Sequence, residues 1–119
     1  MKEPTREVLK VWGKEFIIVN RPEYCAKLLY LDACAVSSLH RHLRKTETFY
    51  GLENRCTLWV EGQFYDLNPQ ASSVTILSGQ WHEFTGPVSG VARILEVSTH
   101  HDEADVERKT ESRKVLETR

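Results

Sequence analysis

From Val8 to Leu77 the apolar residues come in short clusters rich in Val, Ile, Leu, Phe, Tyr and Trp. Turn-forming residues punctuate them at Asn20-Arg21-Pro22, Glu61-Gly62 and Asn68-Pro69-Gln70. Clusters of this length with such breaks predict many short antiparallel strands. The expected strands are Phe16 to Val19, Ala26 to Ala33, Ser37 to His42, Glu47 to Leu52, Cys56 to Val60, Gln63 to Leu67, Val74 to Leu77, Trp81 to Thr85 and Val91 to Ser98. One strand about every ten residues predicts an all-β chain closed into an antiparallel barrel or double-sheet jelly roll, which leaves few strand edges unpaired. No internal repeat or low-complexity tract is evident.

After Ser98 the pattern changes. Residues 100–119 are charged, with only Ala104, Val106, Val115 and Leu116 apolar, and they are expected as a short helix or a solvated tail. Residues 1–11 read as a polar arm, which leaves the barrel at 12–99. A chain of 119 residues makes one domain that buries about two thirds of its unfolded surface. Sixteen basic against seventeen acidic side chains give no bulk attraction to nucleic acid or to an anionic membrane. Cys25, Cys34 and Cys56 lack Cys-x-x-Cys spacing and cannot all pair within a monomer, so they read as small buried hydrophobes in a reducing compartment. With no basic-then-apolar leader and no apolar run near the ~20 residues that span a bilayer, the cytoplasm is the expected location.

Chemistry concentrates in Leu39-His40-Arg41-His42-Leu43-Arg44-Lys45-Thr46-Glu47 and, further on, Gly79-Gln80-Trp81-His82-Glu83-Phe84. On a strand His40 and His42 point the same way, about 7 Å apart, within reach of one ion. Glu47 from the following strand and His82 complete four ligands, three nitrogens and one oxygen. That donor set suits Zn, Mn, Fe or Ni and leaves positions open for water or substrate. Phe49 and Gly51 share the face of Glu47; Gly51 either widens the cavity beside the metal or marks a bulge, the bulge being the simpler reading. His82 shares its face with Phe84, an apolar wall against water. The adjacent pair His100-His101 would face opposite ways on a strand and reads as exposed.

His-x-His, four residues, Glu, and later Gly-x-x-His-x-Phe resemble the two motifs of the cupin superfamily, over about Trp12 to Thr99. In that family a glycine stands six residues before the first His and another seven after the Glu, where this chain has Cys34 and Asn54. The second motif has Pro-x-Gly before its His and Asn four residues after it, where this chain has Leu77-Ser78-Gly79 and Gly86. The departures touch turns and spare the ligands. Within the superfamily, Trp12-Gly13-x-Glu15, Tyr24-Cys25-x-Lys27-Leu28-Leu29, Lys45-x-Glu47-Thr48-Phe49-Tyr50 and Glu96-Val97-Ser98-Thr99 resemble metal-dependent sugar isomerases related to D-lyxose isomerase and type II mannose-6-phosphate isomerase. The resemblance implies a double-stranded jelly roll with one divalent metal and a small sugar-like substrate. It also implies a homodimer joined through barrel sheets or exchanged N-terminal arms.

An open divalent ion in a barrel can bind adjacent sugar oxygens, polarise a carbonyl and stabilise an enediolate. Aldose–ketose isomerisation needs in addition a group that moves a proton between neighbouring carbons. Lys45, Lys27 and Glu96 are the candidates, the lysines by their match to the isomerases. Parity leaves Glu96 open, because Ala92, Ile94 and Glu96 form one face, Val91, Arg93, Leu95 and Val97 the other, and both are mostly apolar. Trp12 and Glu15 read as packing at the barrel mouth, outside the catalytic set. Two other readings compete: a cupin that binds a sugar-like ligand without turnover, and an Fe(II)-dependent oxygenase. Paired lysines beside the metal favour the isomerase, whereas a purely apolar cavity would favour the oxygenase.

Overall fold

A computed structural model describes residues 1–115, among which thirteen strands form and no helix is long and apolar enough to cross a membrane. The strands are β1 (Arg6–Lys10), β2 (Gly13–Asn20), β3 (Cys25–Asp32), β4 (Ala35–Val36), β5 (His40–His42), β6 (Glu47–Glu53), β7 (Cys56–Val60), β8 (Gln63–Leu67), β9 (Val74–Ile76), β10 (His82–Thr85), β11 (Val91–Ser98), β12 (Val106–Arg108) and β13 (Arg113–Lys114). They build two antiparallel sheets. One runs β1-β2-β3-β11-β6-β9. In the other, β10 pairs with β7 on one side and with β5 and β4 on the other; β8 extends β7, while β12 and β13 extend β5 and β4. The jelly-roll barrel expected from the strand pattern is the fold.

Alternation along the strands decides what lies between the sheets. On β3, Cys25, Lys27, Leu29 and Leu31 point inward and the residues between them do not. On β11 the inward set is Ala92, Ile94 and Glu96, which answers the parity question. Leu29, Leu31, Phe49, Leu58, Ile76, Phe84 and Ile94 make the apolar core, with Phe49 and Phe84 edge to face at 4.8 Å. Each such side chain contributes ~1.5 to 3 kcal/mol on burial. One strand repeat further along, the same inward rows become charged: Lys27 stands opposite Glu96, and Glu47 precedes Phe49. The barrel therefore has an apolar end and a polar end. Burial raises the Cys25 thiol and pushes Cys56 up to about 12, so both behave as small hydrophobes.

The polar N-terminal arm carries a strand of its own, with β1 paired to β2 from Arg6↔Ile17 to Lys10↔Gly13. The C-terminal segment, expected as a helix or solvated tail, is a strap of two short strands. β12 pairs with β5 and β13 with β4, while Leu116 lies outside the described residues. Polar side chains hold the strap where apolar ones are few: Leu39 N donates to Thr110 Oγ1 at 2.8 Å and Ser38 N to Ser112 Oγ at 3.0 Å. The expected single strand from Ser37 to His42 is split into β4 and β5. At the split, Ser37 Oγ accepts from Phe84 N at 2.8 Å.

Cys34 and Asn54, where the cupin motif carries glycine, both adopt left-handed backbone, with φ of 62° and 63°. The turn geometry survives the loss of glycine. At Gly51, an added Cβ would sit 2.9 Å from the carbonyl carbon of Asn68 and 3.0 Å from its nitrogen. The glycine thus admits a neighbouring backbone and does not widen the cavity. Beside it the β6–β11 register slips, from Ile94↔Gly51 to Arg93↔Glu53, which is the bulge. Gly51→Ala is expected to cost ~1 to 3 kcal/mol by overpacking, read as a lower urea midpoint with unchanged slope. A midpoint equal to wild type contradicts the close approach.

Candidate metal centre

β5 is three residues long, and its pleat puts His40 and His42 on the inward side. β10 delivers His82 directly opposite His40 in the register, so two imidazoles face each other across adjacent strands with ring centroids 4.3 Å apart. One ligand atom from each of His40, His42 and His82 lies within 4.8 Å of the others. Glu47 opens β6 in the opposite sheet and reaches across. Its Oε1 lies 3.2 Å from His42 Nε2 and its Oε2 3.8 Å from His82 Nε2. The four residues expected as ligands thus meet at the polar end, three imidazoles in a tight group and the carboxylate against two of them.

Two of the rings are oriented by the backbone. His40 Nδ1 lies 2.7 Å from the carbonyl of Ser38 and His82 Nδ1 2.9 Å from that of Gln80. A carbonyl only accepts, so each Nδ1 carries the hydrogen and each Nε2 keeps its lone pair. This is how metal-binding histidines are commonly held. His82 is fully buried, and its Nε2 has no hydrogen-bond partner. A buried lone pair without a donor is costly, and a cation bound there removes the cost. The residues fit a divalent metal on these grounds.

Electrostatics agree. Burial, and then the neighbouring His82, lowers His40 to about 3; burial also lowers His82. Both are neutral at pH 7, the form that binds metal. Burial pushes Glu47 up, but the His42 hydrogen bond and the Lys45 and histidine charges outweigh it and hold the carboxyl well below its usual range. The oxygen ligand is ionised. Three imidazoles and a carboxylate suit first-row divalent ions.

A cavity of about 340 Å³ opens beside this cluster. Lys45, Lys27 and Glu96 all line it, and so do Trp12 and Glu15, which are expected outside the catalytic set. Lys45 Nζ lies 2.7 Å from Glu96 Oε2 and 3.8 Å from Glu47 Oε1; Lys27 Nζ lies 3.5 Å from Glu15 Oε1. Burial lowers Lys45, but Glu96 and Glu47 together raise it, so it stays an ammonium. The reading of His100-His101 as exposed holds for His100 and fails for His101. His101 Nδ1 accepts from Lys45 Nζ at 3.1 Å and its Nε2 donates to Glu103 at 3.0 Å. Burial first, then Lys27 and Lys45, lower His101. The only signal for it was composition: two histidines and three acids within 100–105, directly after the last long strand.

No protein-family model matches the sequence, and no curated protein matches it. In three dimensions the chain is similar to KdgF from Halomonas sp., with a TM-score of 0.72 at 16% identity over 86% of this chain and 90% of that one. It is similar to the capsular polysaccharide assembling protein CapF from Staphylococcus aureus, with a TM-score of 0.75 at 16% identity over 88% of this chain. It is also similar to oxalate decarboxylase from Bacillus subtilis, with a TM-score of 0.74 at 17% identity over 88% of this chain. The chain spans 34% of the CapF chain and 30% of the decarboxylase chain. These neighbours are cupin-fold proteins, and the likeness gives this chain the cupin fold.

The depressed histidines set a pH dependence for the metal-free protein. Below the ordinary histidine value of 6.5 the unfolded chain binds protons that half-buried His40 refuses until about pH 3. Stability is therefore fully present above 6.5 and falls with pH through that window, by up to ~1.4 kcal/mol per unit. Urea titrations of chelator-treated protein at pH 7, 6, 5 and 4 read it directly. A flat profile contradicts the neutral ring.

Proposed function

We propose that this protein is a metal-dependent enzyme that interconverts small aldoses and ketoses, or their phosphates, by moving a proton between adjacent carbons. The observation that carries the reading is the buried Lys45–Glu96 pair, 2.7 Å apart and adjoining Glu47 beside the three imidazoles. His40, His42, His82 and Glu47 hold the ion, be it Mn, Zn, Fe or Ni. When bound, it supplies the electrophile that polarises a sugar carbonyl.

The chain's own groups supply the rest. Glu96 takes the proton from the carbon next to the carbonyl and returns it to the former carbonyl carbon, while the proton of that carbon's hydroxyl passes to the former carbonyl oxygen, so that the sum is an isomerisation. Lys45 offers positive charge and N–H donors to the enediolate oxygen, in a site where low dielectric strengthens both. Lys27, braced by Glu15, orients a hydroxyl further along the cavity. Phe49, Phe84 and Trp12 exclude water from the reacting carbons. Two buried lysines in the lining, Lys27 and Lys45, favour this reading over an oxygenase, for which an apolar cavity would be expected. The fold itself is neutral between them, since one neighbour is named for decarboxylating oxalate and another for assembling capsular polysaccharide.

The proposal extends to assembly as a homodimer through the outer face of the six-stranded sheet. Phe16, Leu28, Leu95 and Tyr50 stand in one register row across four strands there, with Val97 beside them 45% exposed. A contiguous apolar row on an outer sheet face favours a second copy as its cover. Pairing of β1 with its own β2 makes exchanged arms the weaker option.

Turnover and metal binding should separate by residue. His42→Ala is expected to lose both, whereas Lys45→Ala should keep the metal and lose ~10²- to 10⁴-fold in rate. The assay is proton NMR of an aldose and ketose panel in deuterated water with Mn-, Zn-, Fe-, Co- and Ni-loaded protein. An unchanged rate in Lys45→Ala removes its catalytic role, and no exchange with any sugar favours the binding-protein or oxygenase reading. For assembly, light scattering is expected to give a dimer mass for wild type and a monomer mass for Leu95→Glu. A monomeric wild type at micromolar concentration ends the dimer proposal.

A further inference from the structure

The loop 43–46 crosses from β5 in one sheet to β6 in the other, with His42 before it and Glu47 after it. All four of its amides are taken up by Asp105 and Thr99. Leu43 N donates to Asp105 Oδ1 at 3.2 Å and to the Asp105 carbonyl at 3.2 Å. Arg44 N donates to Asp105 Oδ1 at 3.0 Å, and Lys45 N to Oδ2 at 3.0 Å. Thr46 N donates to Thr99 Oγ1 at 3.1 Å, and Thr99 N returns the bond to Thr46 O at 3.0 Å. Asp105 is 2% exposed. Three successive amides on one buried carboxylate form an anion nest filled by the chain's own side chain, and bonds to an ionised acceptor are the stronger kind.

The loop's shape has direct consequences for the site. It fixes the span from His42 to Glu47, whose Nε2 and Oε1 lie 3.2 Å apart, and it carries Lys45 to Glu96. The strap that bears Asp105 is itself registered on β5, with Val106 opposite His42. One carboxylate thus couples the β5 histidines to the first residue of β6.

We propose that Asp105 is a positioning residue of the metal centre. By gripping the amides of loop 43–46 it sets where Glu47 stands relative to the three imidazoles and aims Lys45 at Glu96, while touching neither metal nor substrate. The inference rests on the metal-site reading given above. Losing the carboxylate releases three amides to water and frees the loop without removing any ligand.

The test uses Co(II) as the probe, with affinity from competition against a chelator and geometry from the visible absorption spectrum. Asp105→Asn is expected to keep the β-sheet circular dichroism and lose ~10- to 100-fold in Co(II) affinity, as changes behind metal ligands do. Its spectrum should move toward that of Glu47→Gln. Leu67→Ala serves as control, since Leu67 is buried in the core and does not line the cavity. It should lower the melting temperature and leave the Co(II) spectrum unchanged. Wild-type affinity and spectrum in Asp105→Asn overturn the proposal, and so does an equal spectral change in Leu67→Ala. Failure of wild type to bind Co(II) overturns the metal reading as well, which distinguishes the two. If Asp105→Asn does not fold, hydrogen exchange on wild type decides: slow amides at Leu43, Arg44 and Lys45 support the nest, and unprotected rates there overturn it.

Discussion

A carboxylate withdrawn from water has to be met by donors or positive charge, and at the polar end of this barrel that demand centres on Glu47. Its oxygens reach His42 and His82 from the opposite sheet, and Lys45 stands 3.8 Å away. Lys45 would be as costly alone, and Glu96 answers it at 2.7 Å. Further along the cavity Lys27 and Glu15 repeat the arrangement at 3.5 Å. Removing any one member leaves a buried partner unmatched, so these residues are bound to one another before any ligand arrives.

The sheets make this possible by keeping one inward row for two purposes. Leu29 and Ile94 pack the core, and two residues along the same strands Lys27 and Glu96 face the cavity. The apolar end holds the sheets at fixed separation, so the charged end can be open and partly hydrated without collapsing. Carbonyls two residues upstream lock the His40 and His82 rings, which makes the strand backbone part of the site's electronic design.

Much of this was legible from the residues. His40 and His42 declared themselves by strand parity, and Glu47 and His82 by spacing. The core strands followed from the short apolar clusters and the turn residues between them. What escaped notice was held by polar bonds. Asp105 and His101 are charged or polar side chains that hydropathy assigns to the surface, and each is inside or half-buried because a specific partner receives it. The strap from 99 to 114 was misjudged for the same reason: its few apolar residues say nothing about Thr110, Ser112 and Asp105 docking on backbone groups. At Gly51 the bulge followed from the glycine in a strand, but the close approach of the Asn68 backbone did not, because no local pattern reveals it.

The grip of Asp105 on loop 43–46 spans some sixty residues of sequence. During synthesis the histidines of β5, Glu47 and even His82 exist before the residues that lock the loop have been made. Domains generally form as their chain is completed, and contacts between distant segments come late. The pocket formed by the candidate ligands is therefore completed only once the strap has been made. A nascent or truncated chain carries all four candidate ligands yet lacks the carboxylate that binds the loop between His42 and Glu47.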